Sequence, residues 1–179
     1  KISDEYTFKH SVDVATMSMI VARKYGLDDK QVYEIGIAGL LHDIGKIGIP
    51  DRILNKPEKL TDEEYGIMKS HVTKGAEILK SFTIVDHVEE GALYHHERYD
   101  GHGYPKGLKS DDIPLEAQVV GLADAYDALI SERPYKRKIN HGEAVRMIVN
   151  GECGSFSPKV ILSFIIASMN KTWIEKVSK

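Results

Sequence analysis

The chain has 179 residues, with 24 basic and 27 acidic side chains and a formal net charge of −3. This length suits one domain, since a domain of about 150 residues already buries ~70% of its unfolded surface. The balanced charge excludes the basic footprint that a duplex nucleic-acid binder needs.

The apolar residues recur with the period of an α-helix in the first part of the chain. A first helix is predicted over about 6–25, and a second begins at an aspartate cap near residue 28 and ends at His42 and Asp43. Glycines and a proline then break the pattern over 45–50. The first helix has an apolar face formed by Val14, Met17 and Val21.

The rest of the chain is also predicted to be helical. The sequence of residues 61–64, TDEE, is a capping-box pattern that begins a helix extending to about Lys80. Another helix is predicted from near Thr83 to His95, and a loop rich in glycine and proline follows over 99–115. Helices at about 115–130, at 142–150 and after a Ser157 cap complete an all-α prediction of about seven helices.

The cysteine content and the hydropathy pattern bear on the cellular compartment. A single cysteine, Cys153, excludes an intramolecular disulfide, so the chain needs no oxidising environment. No apolar run approaches the roughly 20 residues that span a bilayer. We expect a cytoplasmic domain with no membrane contact from this segment. Because the chain begins at Lys1 without an initiator Met, it could be excised from a longer protein.

Histidines and aspartates recur in separated segments, in a pattern typical of a metal site. His42-Asp43 is followed by the isolated His71 and then by the adjacent pair His95-His96. Neutral imidazoles and carboxylates together suit first-row transition metals, and a helical core could bring such segments together. The spacing predicts a metal centre and leaves the reaction open.

Three longer motifs resemble the successive signatures of the HD-GYP family, a branch of the HD phosphohydrolase superfamily. They are HDIGK at 42–46, HHERYDGHGYP at 95–105 and ADAYDALISERPYK at 123–136. The resemblance implies a compact HD-type helical bundle with a long GYP loop. It also implies a single domain over 1–179, with a motif-bearing core at about 6–138 and C-terminal helices at about 142–179.

The activity that the resemblance implies is a metal-dependent phosphodiesterase. The enzyme would hydrolyse cyclic di-GMP to the linear dinucleotide pGpG, or further to GMP. Two divalent transition metals, iron or manganese, would share a hydroxide that attacks the phosphorus. The implied ligands are His10, His42 and Asp124 for one metal, His71, His95 and His96 for the other, and Asp43 as the bridge between them.

The resemblance also implies contacts with the substrate. Lys46 would meet the scissile phosphate as a point charge and take part in catalysis with Asp43. Arg133 and Lys136 would grip the other phosphate and the base. Two further candidates keep several roles open. Asp127 could orient a ligand, the metal-bound water or a guanine edge. Tyr104 could stack, form a hydrogen bond or pack under the loop.

The metal stoichiometry depends on the residue four positions before His10. Some relatives carry a glutamate there that supports a third metal on the same helix face. This chain has Tyr6, a poor ligand at its usual pKa, and Glu5 is turned about 100° away on a helix. The sequence therefore predicts two metals.

Two other functions remain open from the sequence. The chain could be a catalytically silent receptor that binds cyclic di-GMP and signals to a partner, although the complete ligand set and the intact Gly103-Tyr104-Pro105 argue against this. It could also act on another cyclic dinucleotide or on a nucleotide. A regulatory domain in the same chain, diguanylate cyclase-type partners and a homodimer are further open interactions.

Overall fold

The computed structural model describes residues 2–82, 86–131 and 139–169, with side chains from residue 7 onward. This described part is helical, with one isolated β-bridge and no longer strand, so the predicted all-α class is confirmed. None of its helices has both the length and the hydropathy to cross a membrane. The α-helices are α1 (Ile2–Tyr25), α2 (Asp29–Leu41), α3 (Asp51–Leu54), α4 (Asp62–Lys69), α5 (His71–Lys80), α6 (Val88–Tyr94), α7 (Leu115–Ile130), α8 (His141–Val149) and α9 (Pro158–Ser168).

The described residues thus hold nine α-helices where the sequence predicts about seven. The helix predicted over 61–80 divides at Ser70 into α4 and α5. The short α3 directly follows the region 45–50 that glycine and proline interrupt, and the sequence analysis did not predict it. Helix α6 begins at Val88, directly after His87, whose left-handed backbone conformation with φ 63° cannot belong to the helix. The predicted start near Thr83 lies outside the described residues. Two 3₁₀ helices, Ile44–Gly48 and Ser110–Asp112, complete the described elements.

The starts of several helices follow their predicted caps. The Thr61 hydroxyl accepts a hydrogen bond from the Glu64 amide at 3.2 Å, and the Glu64 carboxylate accepts one from the Thr61 amide at 2.9 Å. Asp28 and Gln31 form the same reciprocal box at α2. At α9, Ser157 occupies the predicted cap position, but its side chain makes no capping hydrogen bond. Pro158 follows in the first turn, where its missing N–H costs nothing.

The main hydrophobic core lies where α1 packs against α2, α7 and α9. Its largest fully buried side chains include Met17 of α1, Leu122 of α7 and Phe164 of α9. Burial of a side chain of this size contributes about 1.5–3 kcal/mol to the free energy of folding. These contacts therefore stabilise the packing of the helices against one another. The core therefore fixes α1, α2 and α7 relative to one another.

Close backbone approaches bring the remaining elements to the same place. A Cβ on Gly45 would overlap the backbone of His71 and Gly75, so the 3₁₀ helix after α2 lies directly against α5. A Cβ on Gly121 would overlap the carbonyl of His95, so α7 lies against the end of α6. The ends of α2 and α6 and the start of α5 meet between α1 and α7.

Candidate metal centre

The seven side chains that the sequence predicts as metal ligands converge in the structure. Two clusters of potential ligand atoms, each within 4.8 Å of one another, lie side by side. We call them the aspartate group (His10, His42 and Asp124) and the three-histidine group (His71, His95 and His96).

Asp43 lies between the two groups, with one carboxylate oxygen toward each. Its Oδ2 is 3.3 Å from Nε2 of His42 and 3.9 Å from Nε2 of His10. Its Oδ1 is 3.4 Å from Nε2 of His71 and 4.0 Å from Nε2 of His95. Ligands about 2.0–2.2 Å from a shared cation lie about 3–4 Å from one another, so these separations suit metal coordination.

Three of the histidines take their ring orientation from backbone carbonyls close to them in the chain. The Nδ1 atoms of His42, His71 and His95 lie 2.7–2.9 Å from the carbonyl oxygen three residues earlier. Donation from Nδ1 leaves the lone pair on Nε2, the atom that points into the cluster. The accepting carbonyls belong to Gly39, Met68 and Ala92.

Four atoms at the centre of the cluster have no hydrogen-bond partner among the described residues. Nε2 of His42, His71 and His95 and Oδ1 of Asp43 are buried and unpaired within the described part of the chain. Buried polar atoms without a partner are rare in folded proteins because their desolvation is costly. Each of these atoms has a lone pair to offer, so the residues present fit divalent cations.

His10 is oriented differently, by a carboxylate from another helix. Its Nδ1 lies 2.6 Å from Oδ2 of Asp127, and its Nε2 lies 3.4 Å from Oδ1 of Asp124. The hydroxyl of Ser131 donates to the other oxygen of Asp127 at 2.9 Å. Of the roles that the sequence leaves open for Asp127, this contact favours the orientation of a ligand.

The two groups differ in electrostatics. Burial opposes charge on His10, but hydrogen bonds with Asp124 and Asp127 raise its pKa to about 9. Burial lowers the pKa of His95 well below its usual range and that of His96 to about 3. The pKa of Asp124 is lowered despite its burial, because it is hydrogen-bonded to His10. Asp124 is therefore ionised beside a protonated His10, whereas the imidazoles of His95 and His96 are neutral.

Lys46 lies at the edge of the centre. It follows Asp43 by three residues on the 3₁₀ helix, and its ammonium donates to Oδ2 of Asp43. Its side chain is 36% exposed, so the ammonium can meet a ligand that enters from solvent. The pKa of Asp43 is lowered despite burial, mainly by His42 and further by Lys46.

Tyr104 of the GYP loop forms one wall beside the three-histidine group. Its ring stacks on that of His96 with centroids 4.8 Å apart, and its amide donates to the His96 carbonyl at 3.2 Å. Burial raises the pKa of Tyr104, so its hydroxyl stays protonated. Of the roles open from the sequence, the structure shows stacking, and it occurs on a predicted metal ligand.

The GYP loop is anchored by Glu97, a residue that the sequence analysis missed. Glu97 is 4% exposed and accepts hydrogen bonds from the amides of Lys106 at 2.7 Å and Leu108 at 3.0 Å. The next residue, Arg98, donates to the carbonyls of His95 and Glu97 and lies over the ring of Phe156. The sequence signal for these two residues is their position: Glu97 and Arg98 are a charged pair directly after the predicted ligands His95 and His96, within the same motif.

Some predicted residues cannot be placed. Arg133 and Lys136 lie outside the described residues. The side chains of Glu5 and Tyr6 also lie outside what the structure describes, so the argument for two metals in place of three stays a prediction.

The fold and the site together define an all-α protein with two adjoining groups of side chains that could hold metal ions. The family model described as HD domain matches residues 2–160. The chain belongs to this family, which confirms the membership predicted from the motifs.

Individual relatives are consistent with this assignment. The chain is 47% identical over 168 residues to a cyclic di-GMP phosphodiesterase of Pseudomonas aeruginosa, covering 93% of this chain and 40% of the relative. It is 46% identical over 164 residues to a cyclic di-GMP phosphodiesterase of Thermotoga maritima, covering 90% and 45%. The chain thus spans less than half the length of these two relatives.

A solved structure also resembles the fold. The HDG"Y"P protein Bd1817 of Bdellovibrio bacteriovorus superposes with a TM-score of 0.71 at 26% identity. The superposition covers 97% of this chain and 53% of that one.

Proposed function

We propose that this chain is a metal-dependent phosphodiesterase that hydrolyses cyclic di-GMP to the linear dinucleotide pGpG. The observation that carries the proposal is the pair of ligand groups that share Asp43, with four buried lone-pair atoms left unpaired among the described residues. The substrate rests on the names of relatives that are 46–47% identical.

The cofactors in this proposal are two divalent transition metals, iron or manganese. The aspartate group would hold one ion, the three-histidine group the other, and Asp43 would contact both. Imidazole with carboxylate is a ligand set that both metals accept. When bound, such ions supply the Lewis acidity that makes a water molecule nucleophilic near neutral pH and offset phosphate charge.

The protein's own residues would bind and orient the substrate. Lys46, paired with Asp43 at the edge of the centre, would contact the non-bridging oxygens of the scissile phosphate. Asp127 would hold His10 in position through the 2.6 Å contact. Arg133 and Lys136 would hold the second phosphate and a base, as the family resemblance implies.

The proposal includes the setting of the domain. We expect a cytoplasmic protein, since cyclic di-GMP is an intracellular messenger for the family that the chain resembles. A regulatory domain in a longer chain would supply the input signal.

Chromatography of cyclic di-GMP after incubation with metal-loaded protein tests substrate, activity and product together. Both reduced and oxidised conditions are needed, because an iron pair can be active in only one redox state. We expect pGpG to accumulate. Protein with two metals per chain that binds cyclic di-GMP and leaves it intact under both conditions would favour the receptor function instead. Cyclic dinucleotides with other bases, run in parallel, measure the substrate range.

A further inference from the structure

A lysine outside the predicted set lies at the rim of the three-histidine group. The ammonium of Lys69, the last residue of α4, is 5.0 Å from the ring centroid of Tyr65 and 5.7 Å from that of Tyr104. Tyr104 in turn stacks on His96 at 4.8 Å. One aromatic ring therefore separates this cation from a predicted metal ligand.

The backbone holds Lys69 close to the centre as well. Ser70 follows Lys69, and α5 then begins at His71, whose ring lies 5.2 Å from that of His96. The Met68 carbonyl, one residue before Lys69, accepts the Nδ1 hydrogen bond of His71. Any shift of this end of α4 would also move a predicted ligand, so the lysine is well positioned.

Lys69 is a cation without an ion-pair partner in the described part of the chain. By contrast, Lys46 is paired with Asp43. Arg98 is turned to backbone carbonyls behind the site. Cation–π contact with two tyrosines leaves an ammonium free to meet an anion, because the rings carry no net charge.

We infer that Lys69, held by Tyr65 and Tyr104, binds the phosphodiester of a cyclic dinucleotide that is not being cleaved. This inference rests on the proposed function and adds a residue to it. A cyclic dinucleotide has two phosphates, and only one at a time can lie on the two ligand groups. In the proposed function Arg133 and Lys136 also meet the second phosphate, and the Lys69 ammonium at the rim is a suitable further point charge for it.

The test compares two substrates with different numbers of phosphates. Cyclic di-GMP has two phosphodiesters, whereas bis(p-nitrophenyl) phosphate has one and cannot occupy the rim. Lys69→Gln should raise KM for cyclic di-GMP about 10-fold with little change in kcat, and Lys69→Glu should raise it further, since the loss of one charge-assisted hydrogen bond has about this effect. Lys69→Gln should lower kcat/KM for bis(p-nitrophenyl) phosphate far less than for cyclic di-GMP, and the metal content should stay the same.

Lys80→Gln is the matched control, because Lys80 is an exposed lysine at the far end of α5. It should leave KM for both substrates unchanged. Equal losses on both substrates in Lys69→Gln, or no change in KM for cyclic di-GMP, would overturn the inference.

Equilibrium binding separates this inference from the proposed function. Anisotropy of fluorescently labelled cyclic di-GMP with metal-loaded protein reports binding even when no hydrolysis occurs. If the wild-type protein binds cyclic di-GMP without hydrolysing it and Lys69→Gln binds it more weakly, the inference is supported and the proposed activity is refuted. If the wild-type protein hydrolyses cyclic di-GMP and Lys69→Gln binds it equally well, the proposed activity is supported and the inference is refuted.

Discussion

Asp127→Asn should lower the affinity of the protein for one of its two metal ions and leave the affinity for the other unchanged. The substitution keeps the shape of a side chain that is 3% exposed and removes the charge 2.6 Å from Nδ1 of His10. The amide can still accept a hydrogen bond, but it no longer enhances the basicity of Nε2. Loss of such an orienting carboxylate typically lowers metal affinity 10–100-fold. This corresponds to about 1.4–2.7 kcal/mol, in the range of one charge-assisted hydrogen bond.

The effect should be confined to the aspartate group, since Asp127 contacts none of the three histidines in the other group within the described contacts. Competition with a chelator of known affinity, followed by elemental analysis, should give one weakened and one unchanged site. Ser131→Ala is the control: it removes the hydrogen bond on the other oxygen of Asp127 and leaves the charge, so affinity should change less than about threefold. Unchanged affinity at both sites in Asp127→Asn, or equal loss at both, would refute this reasoning.

Three other outcomes follow from the site and its loop. Chelator titration should remove the ion of the three-histidine group first, because its ligands other than the shared aspartate are neutral; simultaneous loss of both ions would contradict this. Glu97→Gln should speed hydrogen exchange of the Lys106 and Leu108 amides about 10-fold with the metal content unchanged, and equal protection would show that the carboxylate charge does not hold the loop. Gly103→Ala should lower the free energy of unfolding in urea by about 1–3 kcal/mol, because its Cβ would overlap the backbone at Glu97. Gly142→Ala, whose Cβ meets only an ordinary contact at 3.6 Å, should be near neutral, and similar losses in the two variants would argue against the overlap.

The all-α class could be predicted because local signals agree with the final packing. The capping box at Thr61 and the helix period of α7 act within a few residues, and both occur in the structure. The division at Ser70 could not be predicted, because it places His71 against the backbone around Gly45, a contact between distant segments.

The candidate site shows the same limit. The motifs indicated which residues would be ligands, and the structure brings those seven together, while their individual roles stay predictions. The anchoring of the loop by Glu97 and the position of Lys69 beside Tyr104 depend on contacts between separate segments. The spacing of residues in the sequence does not encode such contacts. The roles of these two residues were therefore evident only in the fold, although Glu97 lies within the motif.

The carbonyls that orient His42, His71 and His95 affect how the site can change during evolution. Each ring is set by a backbone atom three residues earlier, and backbone carbonyls are present whatever the side chain is. Substitutions around these ligands can therefore accumulate without disturbing ring geometry, as long as the local backbone conformation persists. The orientation of His10 does depend on a side chain, because its orienting group is the carboxylate of Asp127 on a different helix. In related sequences, we expect the pair at positions 10 and 127 to change together and position 68 to vary in identity. The close contact of Gly39 with Ala15 and the burial of Ala92 restrict the other two positions.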